Sequence, residues 1–248
     1  MSFCKEQGGV EKRGKVSAVI VAGGQGKRMG AAVNKVFLQL DGKEVLAHTV
    51  TAFEQNPEVS EIIVVLQKCD QARMTALVSR CGFSKVLAIV EGGRSRQESV
   101  YKGLQAAHGE LVLIHDGARA LVGQQSIRQV IMDCRAHKAA AVGVPCKDTL
   151  KQVTTDGFIE KTLNRDQIYQ IQTPQAFYLE DILEYHQKAL AEGTEVTDDC
   201  ALAELYGGRV FITRGSYENL KLTTPEDLEI ARRILERREK QNENWTRI

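Results

Sequence analysis

An apolar run that breaks into glycines constrains the fold of this chain more than any other feature. The run is Val16–Ala22, and Gly23, Gly24 and Gly26 follow it. A short apolar run that ends in turn residues is typical of a strand buried on both faces, as in a parallel sheet covered by helices. Glycines at its end let the backbone approach a ligand closely, with N–H groups free to donate. The segment therefore predicts a buried strand followed by an anion-binding loop.

Two cations, Arg28 and Lys35, follow these glycines and add positive charge beside the backbone donors. Such a loop suits a polyphosphate, but two familiar phosphate motifs do not fit its spacing. The dinucleotide fingerprint G-x-G-x-x-G fails because the glycine after Gly26 stands at Gly30, one position too late. A P-loop would need a glycine where Val21 stands and a serine or threonine where Arg28 stands. The alternative is an ordinary strand-to-helix turn that uses glycine for a positive φ.

The composition is that of a folded protein without an overall charge bias. The chain has 248 residues, enough for one α/β domain, with 43% hydrophobic and 26% charged residues. Its 33 Lys and Arg against 32 Asp and Glu give a net charge of +1, which argues against nucleic acid as a partner. No apolar run approaches the length of a membrane span, and the N-terminus lacks an apolar signal core. We therefore expect a cytoplasmic protein with no membrane partner.

The cysteines and histidines do not point to a metal centre. The six cysteines are widely scattered and form no C-x-x-C pair. The five histidines show no H-x-E or H-x-x-x-H spacing. A zinc site is therefore not expected, and in a reducing compartment the thiols should be free.

Strand-like and helix-like segments alternate along most of the chain, which predicts a doubly wound, mostly parallel sheet with helices on both faces. Ligands of such sheets bind at the carboxyl ends of the strands. The predicted strands are Val16–Val21, Glu61–Gln67, Val86–Val90, Leu111–His115, Ala139–Val144 and Arg209–Thr213. The predicted helices are Val45–Glu54, Gln71–Cys81, Ser95–Ala107, Gln124–Ala136, Leu179–Glu192, Thr197–Tyr206 and a last helix that begins at Pro225.

The segment 147–171 departs from this alternation. It has period-two patterning about Asp156–Gly157, which is typical of a β-hairpin. Because two strands alone are marginally stable, we expect a projecting arm that pairs with a second copy of the chain. The alternative is a hairpin folded back on its own domain. The whole chain, 1–248, should otherwise form a single domain with frayed ends at 1–14 and 240–248.

Polar residues follow three of the predicted strands. Asp116 stands at a carboxyl end, where one carboxylate together with substrate phosphates could hold Mg²⁺. The alternative is that Asp116 caps a turn. Arg119 could fork onto a phosphate or hydroxyls, or could pair with Asp116. Gly93, with Ser99 shortly after it, would let a flat base lie against the main chain.

Seven segments in this order resemble the 2-C-methyl-D-erythritol 4-phosphate cytidylyltransferases, enzymes of the non-mevalonate isoprenoid route. Those enzymes join a CMP unit to a sugar-alcohol phosphate. The resemblance covers nearly the whole chain and implies a homodimer with a nucleotide-diphospho-sugar transferase-like α/β fold that uses Mg²⁺. The segments are AGGQGKRM with NKVFL, EGGRSRQESVYKGL, LIHDGAR, VPCKDTLKQV, QTPQAF, VTDD and NLKLTTPEDL.

The resemblance also implies a role for individual residues. By similarity, the residues that hold the CTP triphosphate are Ala22, Gly23, Gly24, Arg28 and Lys35. Those that match the nucleotide's base, ribose and metal contacts are Gly93, Ser99 and Asp116. Those that match contacts to the sugar-alcohol phosphate are Thr149 and Arg165 on the arm, which reach the partner subunit's site, together with Arg119, Thr197 and Lys221.

Two positions depart from the family pattern, and a related family remains a rival. The family commonly has proline where Ala120 stands, and a residue that is often acidic where Arg94 stands. The cytidylyltransferases that act on ribitol 5-phosphate share the glycine loop, the QTPQ segment and the K-x-T end. They are the alternative assignment.

The residue types favour nucleotidyl transfer over hydrolysis. A phosphomonoester has a second pKa of about 6, so its oxygen is already a nucleophile at neutral pH and needs no general base. Positioned cations instead lower the repulsion between two polyanions, a role that we assign to Arg28, Lys35, Arg165 and Lys221. A nucleotide-sensing module would not need an acceptor site, and a glycosyltransferase-like enzyme usually adds a D-x-D pair, which this sequence lacks.

Overall fold

The glycine-terminated run Val16–Val21 is an inner strand of a seven-stranded sheet in the computed structural model, which describes residues 14–24 and 34–246. Side chains are described as far as residue 241. Arg28, predicted to bind the triphosphate, lies outside the described residues, as do 1–13 and 247–248.

Strands and helices alternate along the described residues. The strands are β1 (Val16–Val21), β2 (Gln39–Leu40), β3 (Lys43–Glu44), β4 (Val59–Leu66), β5 (Val86–Glu91), β6 (Leu111–Asp116), β7 (Ala139–Pro145), β8 (Lys151–Val153), β9 (Ile159–Thr162), β10 (Tyr169–Tyr178) and β11 (Phe211–Arg214). The helices are α1 (Val45–Glu54), α2 (Gln71–Cys81), α3 (Arg96–Gln105), α4 (Gln124–His137), α5 (Leu179–Glu192), α6 (Asp199–Leu205) and α7 (Pro225–Thr246). Every predicted strand and helix is present, with each predicted end within two residues of the observed one.

The main sheet has the strand order β11-β7-β10-β6-β1-β4-β5. All neighbouring strands are parallel except β10, which runs antiparallel to both β6 and β7. The predicted doubly wound, mostly parallel sheet is therefore confirmed. Because β1, β4, β5 and β6 run in one direction, their carboxyl ends meet at one edge, which is where ligands of such sheets bind.

Side chains alternate between two apolar layers along each inner strand, as the period of two requires. On β1, Ala18 and Ile20 pack in one layer and Val19 in the other, all fully buried. The first layer holds side chains of α1, α2 and α4, and the second those of α3, α5 and α6. Helices therefore cover both faces of the sheet.

The ten-residue strand β10 was not predicted. Its sequence contains Pro174 and buried glutamines, and a proline normally excludes a central strand because it cannot donate to the ladder. The structure accommodates Pro174 where the pairing with β7 is interrupted, between Ile171 and Gln175. The short hairpin of β2 and β3 was also not predicted. Asp41 and Gly42 form its turn, and their φ values of 51° and 74° are positive, as such a turn requires.

The predicted hairpin forms a two-stranded sheet of its own, in which β8 pairs antiparallel with β9. Every residue of both strands is exposed. The turn between them includes Gly157, whose φ is 91°. Because all these residues are exposed, neither strand of the hairpin contributes side chains to the two apolar layers of the sheet.

The last helix, α7, packs on a third apolar cluster that includes Ala120, Leu222 and Ile234. It begins at Pro225 as predicted. In its first turn, the Asp227 carboxylate accepts hydrogen bonds from the backbone N–H groups of Thr223 and Thr224. The segment 240–248 stays predicted to fray, and its described part belongs to α7, which extends to residue 246. Among the described helices, none is both long and apolar enough to cross a bilayer.

Candidate functional site

A cleft of about 550 Å³ opens at the carboxyl edge of the sheet. Its walls come from the end of β1, the segment between β5 and α3, the end of β6 and the segment before α7. Eight of the predicted site residues line it: Ala22, Gly23, Gly24, Lys35, Gly93, Ser99, Asp116 and Lys221. These residues are far apart in sequence, so the fold brings them together as predicted.

The glycine segment after β1 forms one wall and is held by amide side chains. Asn34 donates from Nδ2 to the carbonyl of Ala22 at 2.9 Å, and Gln67 donates from Nε2 to the carbonyl of Gly23 at 3.0 Å. Neither Gly23 nor Gly24 has a positive φ, so the alternative of a turn that needs glycine for its backbone angles does not apply to them. A Cβ on Gly24 would meet no atom of the described residues within 4 Å, so none of them crowds this backbone.

Lys35 enters the cleft from the short 3₁₀ turn Lys35–Phe37. Asn34 caps this turn, because its side-chain oxygen accepts a hydrogen bond from the backbone N–H of Val36. The same Asn34 amide donates to Asp70 at 2.9 Å. Asn34 therefore fixes both Lys35 and the carbonyl of Ala22 on one wall.

Asp116 is the last residue of β6 and the one acidic residue among the described residues that line the cleft. Three cations approach this carboxylate: Lys221 Nζ at 2.9 Å, Arg119 Nε at 3.4 Å and Arg96 Nε at 3.8 Å. Burial alone would raise the pKa of Asp116, but Lys221, Arg96 and Arg119 together lower it to about 2. The carboxylate is therefore ionised at neutral pH.

The segment before α7 presents Lys221 opposite Asp116. The backbone N–H of Leu222 donates to the carbonyl of Ala118 at 2.9 Å, which joins this segment to the loop after β6. Arg119 does not line the cleft, because its guanidinium donates to the carbonyl of Asn219 at 2.7 Å and pairs with Asp116. Of the two roles predicted for Arg119, the structure shows the pairing with Asp116.

Ser99 and Gly93 meet at the start of α3. The Ser99 hydroxyl accepts a hydrogen bond from the Gly93 N–H at 2.9 Å and donates to the carbonyl of Ser95 at 2.8 Å. A Cβ on Gly93 would come within 2.3 Å of the Glu98 side chain, so only glycine fits there. Ser99 thus holds the backbone of Gly93 against the cleft.

Arg94 and Arg96 line the same wall but differ in their surroundings. The Arg94 side chain is 96% exposed and pairs with Glu98. The Arg96 guanidinium donates to the carboxylate of Asp199 at 2.8 Å and approaches Asp116. Sequence reasoning missed Arg96, although its position in the first turn of the predicted helix Ser95–Ala107, at the carboxyl edge, could have indicated it.

Besides Arg119, three predicted residues lie outside the described lining of the cleft: Thr149, Arg165 and Thr197. All three are exposed. Arg165, in the turn between β9 and β10, donates to the carbonyl of Lys147 at 3.2 Å. Thr197 precedes α6. Within one chain, the fold therefore does not bring the hairpin residues to the cleft lining.

His115 lies beneath the cleft and is fully buried. Thr173 Oγ1 lies 2.9 Å from its Nδ1, and the carbonyl of Arg119 lies 3.2 Å from its Nε2. Burial is the main reason that the pKa of His115 falls to about 4. The imidazole is therefore neutral at pH 7 and both its nitrogens are engaged within the protein.

The cleft is electropositive. Its described lining residues include four cations, Lys35, Arg94, Arg96 and Lys221, against the single carboxylate of Asp116. Local positive charge of this kind, beside glycine backbone, favours a polyanionic ligand. In the described part of the chain, no three His, Cys, Asp or Glu side chains are grouped to hold a metal by themselves.

Comparisons with known proteins agree on one family. Residues 16–237 match the family model IspD, 2-C-methyl-D-erythritol 4-phosphate cytidylyltransferase. A protein of that name from Desulforamulus reducens is 45% identical over 228 residues, 91% of this chain and 97% of that protein. Another of that name from Clostridium novyi is 43% identical over 224 residues, 90% and 97% of the two chains. The crystal structure of 4-diphosphocytidyl-2C-methyl-D-erythritol synthase from Anaerococcus prevotii superposes with a TM-score of 0.81 at 33% identity, covering 90% of this chain and 98% of that one.

Proposed function

This chain belongs to the 2-C-methyl-D-erythritol 4-phosphate cytidylyltransferase family, and from that premise we propose that the cleft at the carboxyl edge of the sheet is its active site. The reaction is the transfer of CMP from CTP to 2-C-methyl-D-erythritol 4-phosphate, giving 4-diphosphocytidyl-2-C-methyl-D-erythritol and pyrophosphate. The observation that supports the cleft as its location is the convergence of Lys35, Arg96 and Lys221 on one electropositive space beside glycine backbone.

The proposed chemical step is an in-line displacement at the α-phosphorus of CTP. An oxygen of the acceptor phosphate forms the new bond to that phosphorus, and the bond to the bridging oxygen of the β-phosphate breaks, so pyrophosphate leaves with the electron pair. The acceptor oxygen is already anionic, because its second pKa is about 6. No general base is required, and the neutral, internally hydrogen-bonded His115 fits that scheme.

The cations lower the remaining barrier, because they reduce the repulsion between the two anionic reactants and stabilise the negative charge that builds on the leaving pyrophosphate. Lys35, with Arg28 of the same segment, is assigned to the triphosphate and its transition state. Lys221 and Arg165 are assigned to the acceptor phosphate. Lys221 faces the space above Asp116, and its pairing with that carboxylate holds it ready in the absence of substrate.

We propose Asp116 as the protein's ligand for Mg²⁺. A magnesium ion is commonly held by one or two carboxylates together with substrate phosphates, and an ionised Asp116 in a phosphate-binding cleft fits that donor set. The ion would neutralise charge on the nucleotide phosphates. Lys221, which occupies Oδ2 at 2.9 Å, would turn from Asp116 toward the acceptor phosphate.

We propose further that two copies of the chain associate through residues 147–171, so that Thr149 and Arg165 reach the partner's cleft. The support is the exposure of the β8–β9 hairpin and of its apolar side chains, Phe158 among them at 71%. We also propose that the reaction takes place in the cytoplasm, a reducing compartment in which the described cysteines would stay free thiols.

The test of substrate choice measures pyrophosphate release with each nucleoside triphosphate against a panel of sugar-alcohol phosphates. We expect CTP with 2-C-methyl-D-erythritol 4-phosphate to give the highest kcat/KM. A higher value with ribitol 5-phosphate would assign the chain to the rival acceptor. The same panel run with a Lys35→Ala variant tests the location, since unchanged release would remove the cleft from the reaction.

A further inference from the structure

A buried carboxylate and a buried imidazole lie directly behind the α3 wall of the cleft. Asp199 and His186 are each 2% exposed, and His186 Nε2 lies 3.1 Å from Asp199 Oδ1. The other oxygen, Asp199 Oδ2, accepts a hydrogen bond from Arg96 Nη1 at 2.8 Å. The reaction described above uses neither His186 nor Asp199.

Three helices fix this chain of contacts. Arg96 is the first residue of α3, Asp199 is the first residue of α6, and His186 lies on the inner face of α5. The Asp198 side chain caps α6 by accepting a hydrogen bond from the N–H of Ala201 at 2.9 Å. The Tyr101 ring stacks on His186 with centroids 6.0 Å apart. Packing of α3, α5 and α6 therefore determines where the Asp199 carboxylate points.

The guanidinium of Arg96 has donors left for a ligand. Among the described residues it makes one hydrogen bond, to Asp199, and a longer approach of 3.8 Å to Asp116. A guanidinium carries five N–H groups in a planar fork. Because Arg96 lines the cleft and its side chain is 30% exposed, the remaining N–H groups are available on the cleft side.

We infer that Asp199 and His186 are positioning residues that orient the Arg96 guanidinium at the cleft wall, where Arg96 binds a phosphate of a substrate. A free arginine side chain loses rotamer entropy when it binds, whereas one already held in place loses less. His186 fixes one oxygen of Asp199 so that the other faces Arg96. This inference rests on the proposed use of the cleft by the phosphorylated substrates.

Asp199→Asn separates positioning from simple attraction, because the two predict opposite signs. Removing a negative charge near the cleft would strengthen long-range attraction of a polyanion and so lower the KM. Loss of the charge-assisted hydrogen bond to Arg96 would instead raise the KM for one substrate by about tenfold, with a smaller change in kcat. The substrate whose KM rises, CTP or the acceptor, identifies the phosphate that Arg96 binds. An unchanged or lower KM for both substrates overturns the inference.

His186 is tested by a pair of variants that differ in one donor. His186→Leu removes the hydrogen bond to Asp199, and His186→Gln keeps an amide N–H that can replace Nε2. We expect His186→Leu to raise the same KM by about threefold and His186→Gln to stay within about twofold of wild type. Equal KM values for the two variants would contradict the role of His186. If His186→Leu does not fold, His186→Phe replaces it in this pair, because it also lacks the donor to Asp199 but keeps an aromatic ring beside Tyr101.

A double-mutant cycle shows whether Asp199 acts through Arg96. In an Arg96→Met background, Asp199→Asn should produce no further rise in KM, whereas independent effects would multiply. Asp133→Asn is the matched control, because Asp133 accepts hydrogen bonds from Thr213 and Gln129 outside the cleft lining and should leave both KM values unchanged. Wild-type values of kcat and KM in the Lys35→Ala variant would refute the proposed site itself. Normal Asp199→Asn kinetics beside a defective Lys35→Ala would refute this inference alone.

Discussion

The cleft at the edge of the sheet and the β8–β9 hairpin present their polar side chains under contrasting conditions. In the cleft, the Asp116 side chain is 11% exposed and is paired with Lys221, Arg119 and Arg96. On the hairpin, every residue of both strands is exposed, and Arg165 beyond them is exposed too. The sheet of one chain thus orients the cleft residues, whereas in the proposed dimer a second copy would order the hairpin residues.

Apolar side chains on the hairpin make the contrast sharper. Phe158, Ile159 and Val153 are 71%, 64% and 58% exposed. Two strands alone are marginally stable in water, and a cluster of exposed apolar side chains commonly marks an interaction surface. Coverage by a second copy of the chain would resolve both features.

Lys35→Ala is expected to have the largest effect, because it removes a cation from the cleft without touching the apolar layers. The kcat should fall by roughly 10²–10³, as on loss of one electrostatic donor to a transition state. Steady-state pyrophosphate release measures this effect, and circular dichroism checks the fold. Lys43→Ala is the matched control, since Lys43 is exposed on the neighbouring β3 and does not line the cleft. Wild-type turnover in Lys35→Ala would place catalysis elsewhere.

The site residues differ in whether a local sequence pattern is enough to locate them. Asp116 and the glycines stand at the ends of apolar runs, so a local pattern together with the parallel topology was sufficient to place them at one edge. The partner of Arg96 was not predictable, because Asp199 is 103 positions away and the two meet only because α3 and α6 both pack on α5. Thr149 and Arg165 followed from family resemblance alone.

Strand β10 shows where local patterns fail. Gln172 and Gln175 are 7% and 1% exposed, although glutamine is usually a surface residue. Their amides donate to the carbonyl of Ser216 and to the carboxylate of Asp198. These partners are distant in sequence, so the segment resembles a loop until tertiary contacts supply acceptors for its buried amide N–H groups.

A pH-dependent loss of stability should come from the floor of the cleft and not from the hairpin, whose segment 147–171 contains no histidine. Burial lowers the pKa of His115 from 6.5 to about 4. As the pH falls from 6.5, the unfolded chain takes up a proton that the folded chain refuses, so stability decreases until about pH 4. The loss should reach about 3 kcal/mol for this group, which urea unfolding at several pH values would measure.

His115→Gln provides the control for that titration, because the amide can still donate toward the carbonyl of Arg119 but does not ionise. Its unfolding free energy should change less than that of wild type between pH 6.5 and pH 4. Its kcat at pH 7 should fall by far less than the roughly 10²–10⁴ that loss of a general base costs. A folded but inactive His115→Gln enzyme would contradict the mechanism without a protein base.

Phe158→Ser tests the hairpin side of the comparison. If a partner covers Phe158, its removal should weaken dimerisation by at least about tenfold, given the free energy of burying one aromatic side chain. Sedimentation equilibrium measures the dimer Kd, and the melting temperature of the chain should change little. Leu190→Ser is the control, because Leu190 is 65% exposed on α5, away from the hairpin. An equal Kd in all three proteins would exclude the hairpin from the interface.

Mixing inactive chains tests whether the cleft and the arm of one site come from different copies. Arg165→Ala lacks the arm cation and Lys35→Ala lacks the cleft cation. A heterodimer of the two holds one site with both residues intact, formed by the cleft of the first chain and the arm of the second. Random exchange makes half of the dimers heterodimers, so activity should recover to about a quarter of wild type.

The matched control combines two cleft variants, Lys35→Ala with Lys221→Ala. Both residues line the cleft of the same chain, so exchange cannot rebuild an intact site and no activity should return. Recovery with Arg165→Ala but not with Lys221→Ala would separate the residues that one chain orients by itself from those that it lends to its partner. Native mass spectrometry checks that heterodimers have formed. If they have and neither mixture recovers activity, Arg165 acts on the cleft of its own chain, and the proposal that the hairpin completes the partner's site is wrong.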